Sequence, residues 1–338
     1  MAYRKGKSVI HLENAPSLIS WAAAVGKKEG EGPLNAAFDK VFTDEFCGEK
    51  TFEKAETRLQ KTAVNCAVEK AGLRFEDFDI AMGGDLLNQC IGTSFSMRET
   101  GIPFAGLYGA CSTMAMSLAL SAVLADGGAF KNLLCVASSH FCSAERQYRM
   151  PLEYGGQRSQ AAQWTVTGAG AAVLTANGEN KPYISDVIIG RIVDLGIKDA
   201  ANMGAAMAPA AADTIAAFLR DTNTAPSDYG MILTGDLGFT GSELLREVLK
   251  ADSGIDISAV QNDCGMMIFD REKQDVHSGG SGCGCSAAVV CSHILNKIAA
   301  GELDNVLFVG TGALLSPTSS LQGESIPGIA HGVLLKGA

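Results

Sequence analysis

Sliding the 338-residue chain over itself by 173 positions sets Gly128 on Gly301, Asn132 on Asn305, Leu134 on Leu307 and Val136 on Val309. A helical pattern precedes each of the two strands. The shift is close to half the chain length, and paired helix-turn-strand units with matching turns are what a duplicated architecture leaves in a sequence. The chain is therefore expected to fold as two similar halves, 1–178 and 179–338, around a shared interface. Strand signals at 79–84, 132–139, 164–175, 183–193, 229–236 and 305–311 alternate with helical ones at 53–71, 112–125, 209–220, 242–250 and 284–300. That alternation predicts an α/β fold whose parallel or mixed sheets pack around shared helices. Residues 1–51, where Trp21 and several glycines lie among charges, read as an irregular lead-in.

Composition narrows the function. Hydrophobic residues make up 47% and charged residues 19%, so a large core can be buried. A net charge of −10 leaves no general attraction for nucleic acid or an anionic bilayer, so an anionic ligand needs a local site. Ten cysteines without a secretory leader pattern point to a reducing compartment and to no structural disulfides. Cys283-x-Cys285, followed by Cys291, lacks a C-x-x-C pair, and neither zinc nor another metal or cofactor is expected. The most apolar windows, 114–125 and 203–219, are broken by Ser117, Ser121, Pro209 and Asp213, so no membrane span is predicted.

Cys111 is the candidate reactive residue. In Leu107-Tyr-Gly-Ala-Cys-Ser-Thr113 an apolar run turns through Gly109 into a helix, which sets the sulfur against unpaired N–H groups and the positive helix end. Such a position favours thiolate over thiol and suits a nucleophile or an anion pocket.

This elbow, the glycine-rich helix start Gly279-Gly-Ser-Gly-Cys-Gly-Cys-Ser-Ala287 and the duplication together resemble the thiolase and ketoacyl-synthase superfamily. Longer segments sharpen the likeness: LYGACSTMAMSL from 107, ASSHF at 137–141, FCSAERQYRMPLEYGGQR at 141–158, AQWTVTGAGAAVL at 162–174 and ILTGDLGFTG at 232–241. These are similar to the stage V sporulation AD family of endospore formers. The resemblance implies a thiolase-like fold that binds dipicolinate, pyridine-2,6-dicarboxylate, free or as its calcium chelate, and helps move it into the developing spore. It also implies a homodimer paired through the first half's sheet edge. Peripheral association with the forespore or spore inner membrane, through other membrane proteins of the stage V A operon, follows in the same way.

Condensing enzymes of the superfamily set a histidine pair, a His and Asn, or a His and second Cys beside the nucleophile. Carried onto this chain, one histidine position falls on Ser281 and the other near Thr234-Gly235-Asp236, while the second cysteine would fall at 310–312 and is absent. Of the five histidines, only His140, at the end of the strand after the Cys111 helix, is expected to open toward the same sheet edge; His331 is placed near the site floor. The site is thus expected to comprise Cys111, Ser112, His140, Thr234, Asp236, Ser281, Gly282 and Cys283. Arg149 or Arg158, from a run that also holds Arg146, Tyr148 and Tyr154, is expected to meet a carboxylate. Two readings remain: a ligand-binding, transport-associated protein, and an acyltransferase or ketoacyl-synthase-like enzyme acylated on Cys111. The missing catalytic partners favour the first, which is also compatible with a scaffold for membrane partners.

Overall fold

The computed structural model describes residues 2–148, 158–176, 178 and 182–337. Ten of its strands form two runs of five. The first run is β1 (Ser17–Val25), β2 (Ile80–Gly84), β3 (Phe104–Gly106), β4 (Asn132–Ser139) and β5 (Gly168–Thr175). The second is β6 (Tyr183–Ile189), β7 (Met231–Thr234), β8 (Gln261–Asp263), β9 (Val306–Ala313) and β10 (Gly328–Lys336). In space they lie β8-β7-β9-β10-β6-β1-β5-β4-β2-β3. The first run is ordered 3-2-4-5-1 and the second repeats that order five labels on. In both runs the outer three strands are parallel and the inner pairings antiparallel. The runs meet at one antiparallel pairing, Tyr183 with Ser17.

The helices repeat as well: α1 (Phe52–Ala71), α2 (Ile91–Met97), α3 (Thr113–Asp126) and α4 (Phe141–Tyr148) in the first half, α5 (Met203–Thr222), α6 (Gly238–Ser253) and α7 (Cys283–Val289) in the second. Thr51 caps α1, its hydroxyl accepting the Lys54 N–H, and Gly72 ends the helix in the left-handed conformation. α7 continues through a π turn, Val290–Ile294, into Leu295–Ala299.

α3 and α7 form the centre of the molecule. Met114, Ala115, Leu118, Ala119 and Ala122 of α3 are wholly buried, as is α7 from Cys283 to Val289. Burying a side chain the size of Met114 or Leu118 contributes ~1.5–3 kcal/mol. Each helix also reaches the other half's sheet. A Cβ on Gly310 of β9 would lie 2.6 Å from the Ala115 Cβ, and one on Gly170 of β5 would lie 2.2 Å from the Ala287 carbonyl oxygen. Glycine is required at both contacts.

Two expectations need correction. The lead-in contains β1, which pairs with β5 from Ser17–Thr175 to Val25–Gly168. Both its faces are covered, so its Ala22, Ala23 and Ala24 are fully buried and no polar alternation marks the strand. The single strand expected at 164–175 is two: Trp164–Thr165 pairs with Gly280–Ser281, and β5 begins at Gly168. No helix among the described residues is long and apolar enough to cross a membrane.

Gly170→Ala should lower stability by at least ~2 kcal/mol in urea unfolding, since the obstructing atom is backbone; an unchanged midpoint would show that α7 can withdraw. A second expectation concerns His331 on β10, buried with its Nδ1 accepting the Gly190 N–H at 3.2 Å. Burial alone pushes its pKa down to about 4. The unfolded chain therefore binds the extra proton between pH ~6.5 and that value, and stability falls as pH drops through the window. His331→Gln should remove on the order of 3 kcal/mol of this acid sensitivity, read from unfolding midpoints at pH 7 and pH 4.

Candidate functional site

The site begins at the turn into α3. Ala110 holds a left-handed φ of 49°, which presents Cys111 at the helix entrance. The neighbouring hydroxyls lock the turn: Ser112 Oγ donates to the Gly109 carbonyl (2.6 Å), and Thr113 Oγ1 donates to the Ala110 carbonyl (2.7 Å). Ser112 thus faces its own backbone. Cys111 is 5% exposed at the base of a narrow cleft walled by Leu86, Tyr108, Tyr148, Met203 and Leu315. At the mouth the Tyr108 and Tyr148 hydroxyls lie 2.8 Å apart, and Tyr148 donates to the Leu86 carbonyl.

Asp236, fully buried beyond β7, organises the deep side. One carboxylate oxygen accepts from Ser281 Oγ (3.1 Å) and the Gly282 N–H (2.8 Å), and the other accepts from Thr311 Oγ1 (2.8 Å). The Cys111 thiol lies near enough to this carboxylate to feel its charge. Glycine at 282 follows from its φ of 100° and from Ser139 Oγ, which would lie 2.7 Å from an added Cβ.

The electrostatics overturn the thiolate expectation. Burial pushes the Cys111 thiol well above its ordinary range, and Asp236 pushes it further as a negative neighbour; Gly282 and Ser281 oppose this less strongly. The helix end does not prevail because burial, and then the charge of a neighbouring carboxylate, both disfavour the thiolate. Asp236 is itself raised by burial. Asp263, at the end of β8, is raised to about 7 by burial, despite the hydrogen bond from Thr234, with the charge of Asp236 adding to the rise.

Cys111, Asp236, Ser281 and Gly282 are therefore brought together, with Ser112 in the adjoining turn. Five expected members lie elsewhere or beyond the described residues. Thr234 Oγ1 donates to Asp263 (2.6 Å) rather than to the cleft. Cys283 is buried with its thiol on the Ser138 carbonyl (2.8 Å). His140 directs Nε2 to the Glu45 carbonyl (2.7 Å) while Nδ1 accepts the Cys142 N–H (3.2 Å), and burial lowers its pKa. Its ring packs against Phe52 at 5.5 Å and does not line the cleft. Arg158 is ion-paired with Asp275 (2.8 Å) away from the cleft lining, and Arg149 lies outside the described residues. His331 does not line the cleft either.

Sequence reasoning missed Asp263, Thr311 and Tyr108. Asp263 and Thr311 do stand at or near strand ends, the usual place for site residues in such sheets. The region 310–312 also gains a physical account: a Cβ on Gly312 would lie 2.4 Å from the Gly109 carbonyl oxygen, so β9 approaches the elbow too closely for cysteine. All ten cysteines are free thiols, and among the described residues no three His, Cys, Asp or Glu side chains converge as a metal site requires.

Comparison with known proteins places this geometry. The family model for stage V sporulation protein AD matches residues 6–336. Stage V sporulation protein AD of Bacillus subtilis (strain 168) is 44% identical over 333 residues, 98% of each chain. Among solved structures, 3-oxoacyl-[acyl-carrier-protein] synthase III from Aquifex aeolicus VF5 superposes with a TM-score of 0.57 at 14% identity, covering 95% of this chain and 99% of that one. A variant of OleA from Xanthomonas campestris gives 0.60 at 13% identity, covering 96% and 99%. At such identities the likeness carries the fold: a thiolase-like condensing-enzyme fold.

If Asp236 holds Cys111 as a thiol, Asp236→Asn should lower the thiol pKa and speed alkylation of Cys111 at pH 7.5 by roughly tenfold, followed by peptide mass spectrometry. Equal rates in the two proteins would remove Asp236 from the account.

Proposed function

Since the chain belongs to the stage V sporulation protein AD family, we propose that it binds dipicolinate, free or as its calcium chelate, and serves its uptake into the developing spore. The observation that carries binding over turnover is the carboxylate of Asp236 against Cys111. A condensing enzyme needs a thiolate and donors that polarise a thioester carbonyl, a contribution of ~3–4 kcal/mol per donor. Here the thiol is kept protonated, and the carboxylate occupies the Ser281 hydroxyl and the Gly282 N–H. The pocket keeps what a binder uses: apolar and tyrosine walls for a ring.

Assembly follows the same reading. β3 is the outermost strand of its run and pairs with β2 on one side, which leaves an edge for a second copy and supports a homodimer. No described helix spans a bilayer, so attachment at the forespore membrane is proposed to pass through membrane proteins of the same stage V A operon.

The acyltransferase alternative draws on the synthase-like fold and the retained Cys111. Titration calorimetry with dipicolinate, with and without calcium, should show saturable heat. Intact-mass measurement after incubation with acyl-CoA should show no adduct. A stable adduct lost in Cys111→Ser, without dipicolinate heat, would replace the binder with the enzyme.

A further inference from the structure

A second cleft of ≈ 510 Å³, roomier than the one over Cys111, opens between the turn Lys27–Gly30, the start of α4 and the loop at 273–275. Its floor is Glu29, a carboxylate only 1% exposed. Glu29 Oε1 accepts the Thr167 N–H (3.0 Å), its own backbone N–H lies against the carboxylate, and Oε2 has no hydrogen-bond partner among the described residues. Burial raises this acid to about 7, so near neutral pH it carries a proton part of the time and can donate as well as accept.

The wall is Trp164, stacked on Phe141 with ring centroids 3.9 Å apart. Over the same indole lie two cations, Lys28 Nζ at 3.5 Å and the Arg158 guanidinium at 4.9 Å. Both donate to the Asp275 carbonyl, Lys28 at 3.0 Å and Arg158 at 2.9 Å, and the Asp275 carboxylate pairs with Arg158. Burial and then the nearby Arg158 charge lower the Lys28 pKa, which is what two crowded cations produce. Arg158 Nη1 is buried and without a hydrogen-bond partner among the described residues. Lys27 and Lys273 also line the cleft, as do Glu31 and Glu45, and Lys273 pairs with Asp270. A lysine and a buried, unpaired carboxyl oxygen beside an aromatic residue are complementary to a ligand that brings an anion and a ring. The described lining of the Cys111 cleft holds no lysine or arginine.

We propose that the Trp164 cleft is a second small-molecule site, one that takes a planar carboxylate, with Lys28 on the carboxylate and Glu29 hydrogen-bonded at the floor. The inference rests on the dipicolinate reading and gives that dianion a cationic contact. Arg158, expected beside Cys111, is found behind this cleft, paired with Asp275 of its lining.

The chain has two tryptophans, and Trp21→Phe leaves Trp164 as the sole indole reporter. Titrating that variant with dipicolinate should change Trp164 emission saturably. Lys28→Ala and Lys28→Gln, each in the same background and checked for an unchanged thermal midpoint, should weaken the apparent affinity at least ~tenfold, a loss of ~1.4 kcal/mol. If one variant fails to fold, the other decides. Calorimetry separates the two levels of the argument: heat with a silent Trp164 and unaltered variants overturns the second site alone, whereas no heat from the unsubstituted protein overturns dipicolinate binding and this site with it.

Discussion

The molecule depends on two helices that each lie against both halves. α3 belongs by sequence to the first half yet meets β9 at Gly310, while α7 belongs to the second and meets β5 at Gly170. Because the contacts are backbone-close, the halves cannot slide past one another without forcing atoms together, and interiors at crystal-like density pass such constraints on rigidly. The site inherits its geometry from this arrangement. Cys111 enters from the start of α3, Ser281 and Gly282 from the approach to α7, and Asp236 from the end of β7. Three chain segments distant in sequence converge because the two central helices fix where each strand run ends.

Within that frame, burial decides the chemistry. A helix start can stabilise a thiolate, but its contribution fades beside the charge of a neighbouring carboxylate in a site closed to water. The same cause raises Asp236 and Asp263, two acids near one another with little solvent to share. The elbow and the glycine-rich turn carry the fold's usual geometry, while the group near the sulfur is an acid.

Much of the architecture could be read from residues. β4 has the expected bounds, and α1 was one residue off, because its apolar periodicity and its Thr51 and Gly72 boundaries agree. β1 was invisible for the opposite reason: alanines covered on both faces leave neither alternation nor strand propensity to detect. At the site, Cys111, Asp236, Ser281 and Gly282 were legible because a turn and a motif placed them. Thr234 and Cys283 lie beside true site residues but face elsewhere, and sequence adjacency does not report which way a side chain points. His140 was a reasonable candidate from its strand end, yet its ring is held by the Glu45 carbonyl, from a segment that had no assigned structure.

The approach of β9 to the elbow bears on how such a chain could change. At Gly312 the obstacle to a side chain is the carbonyl oxygen of Gly109, with the Ser112 N–H close behind. A side chain at this position cannot enter by substitution alone, because the strand itself occupies the space. Placing a cysteine at 312 would require β9 to move first, so design at this point of the cleft has to begin with the backbone.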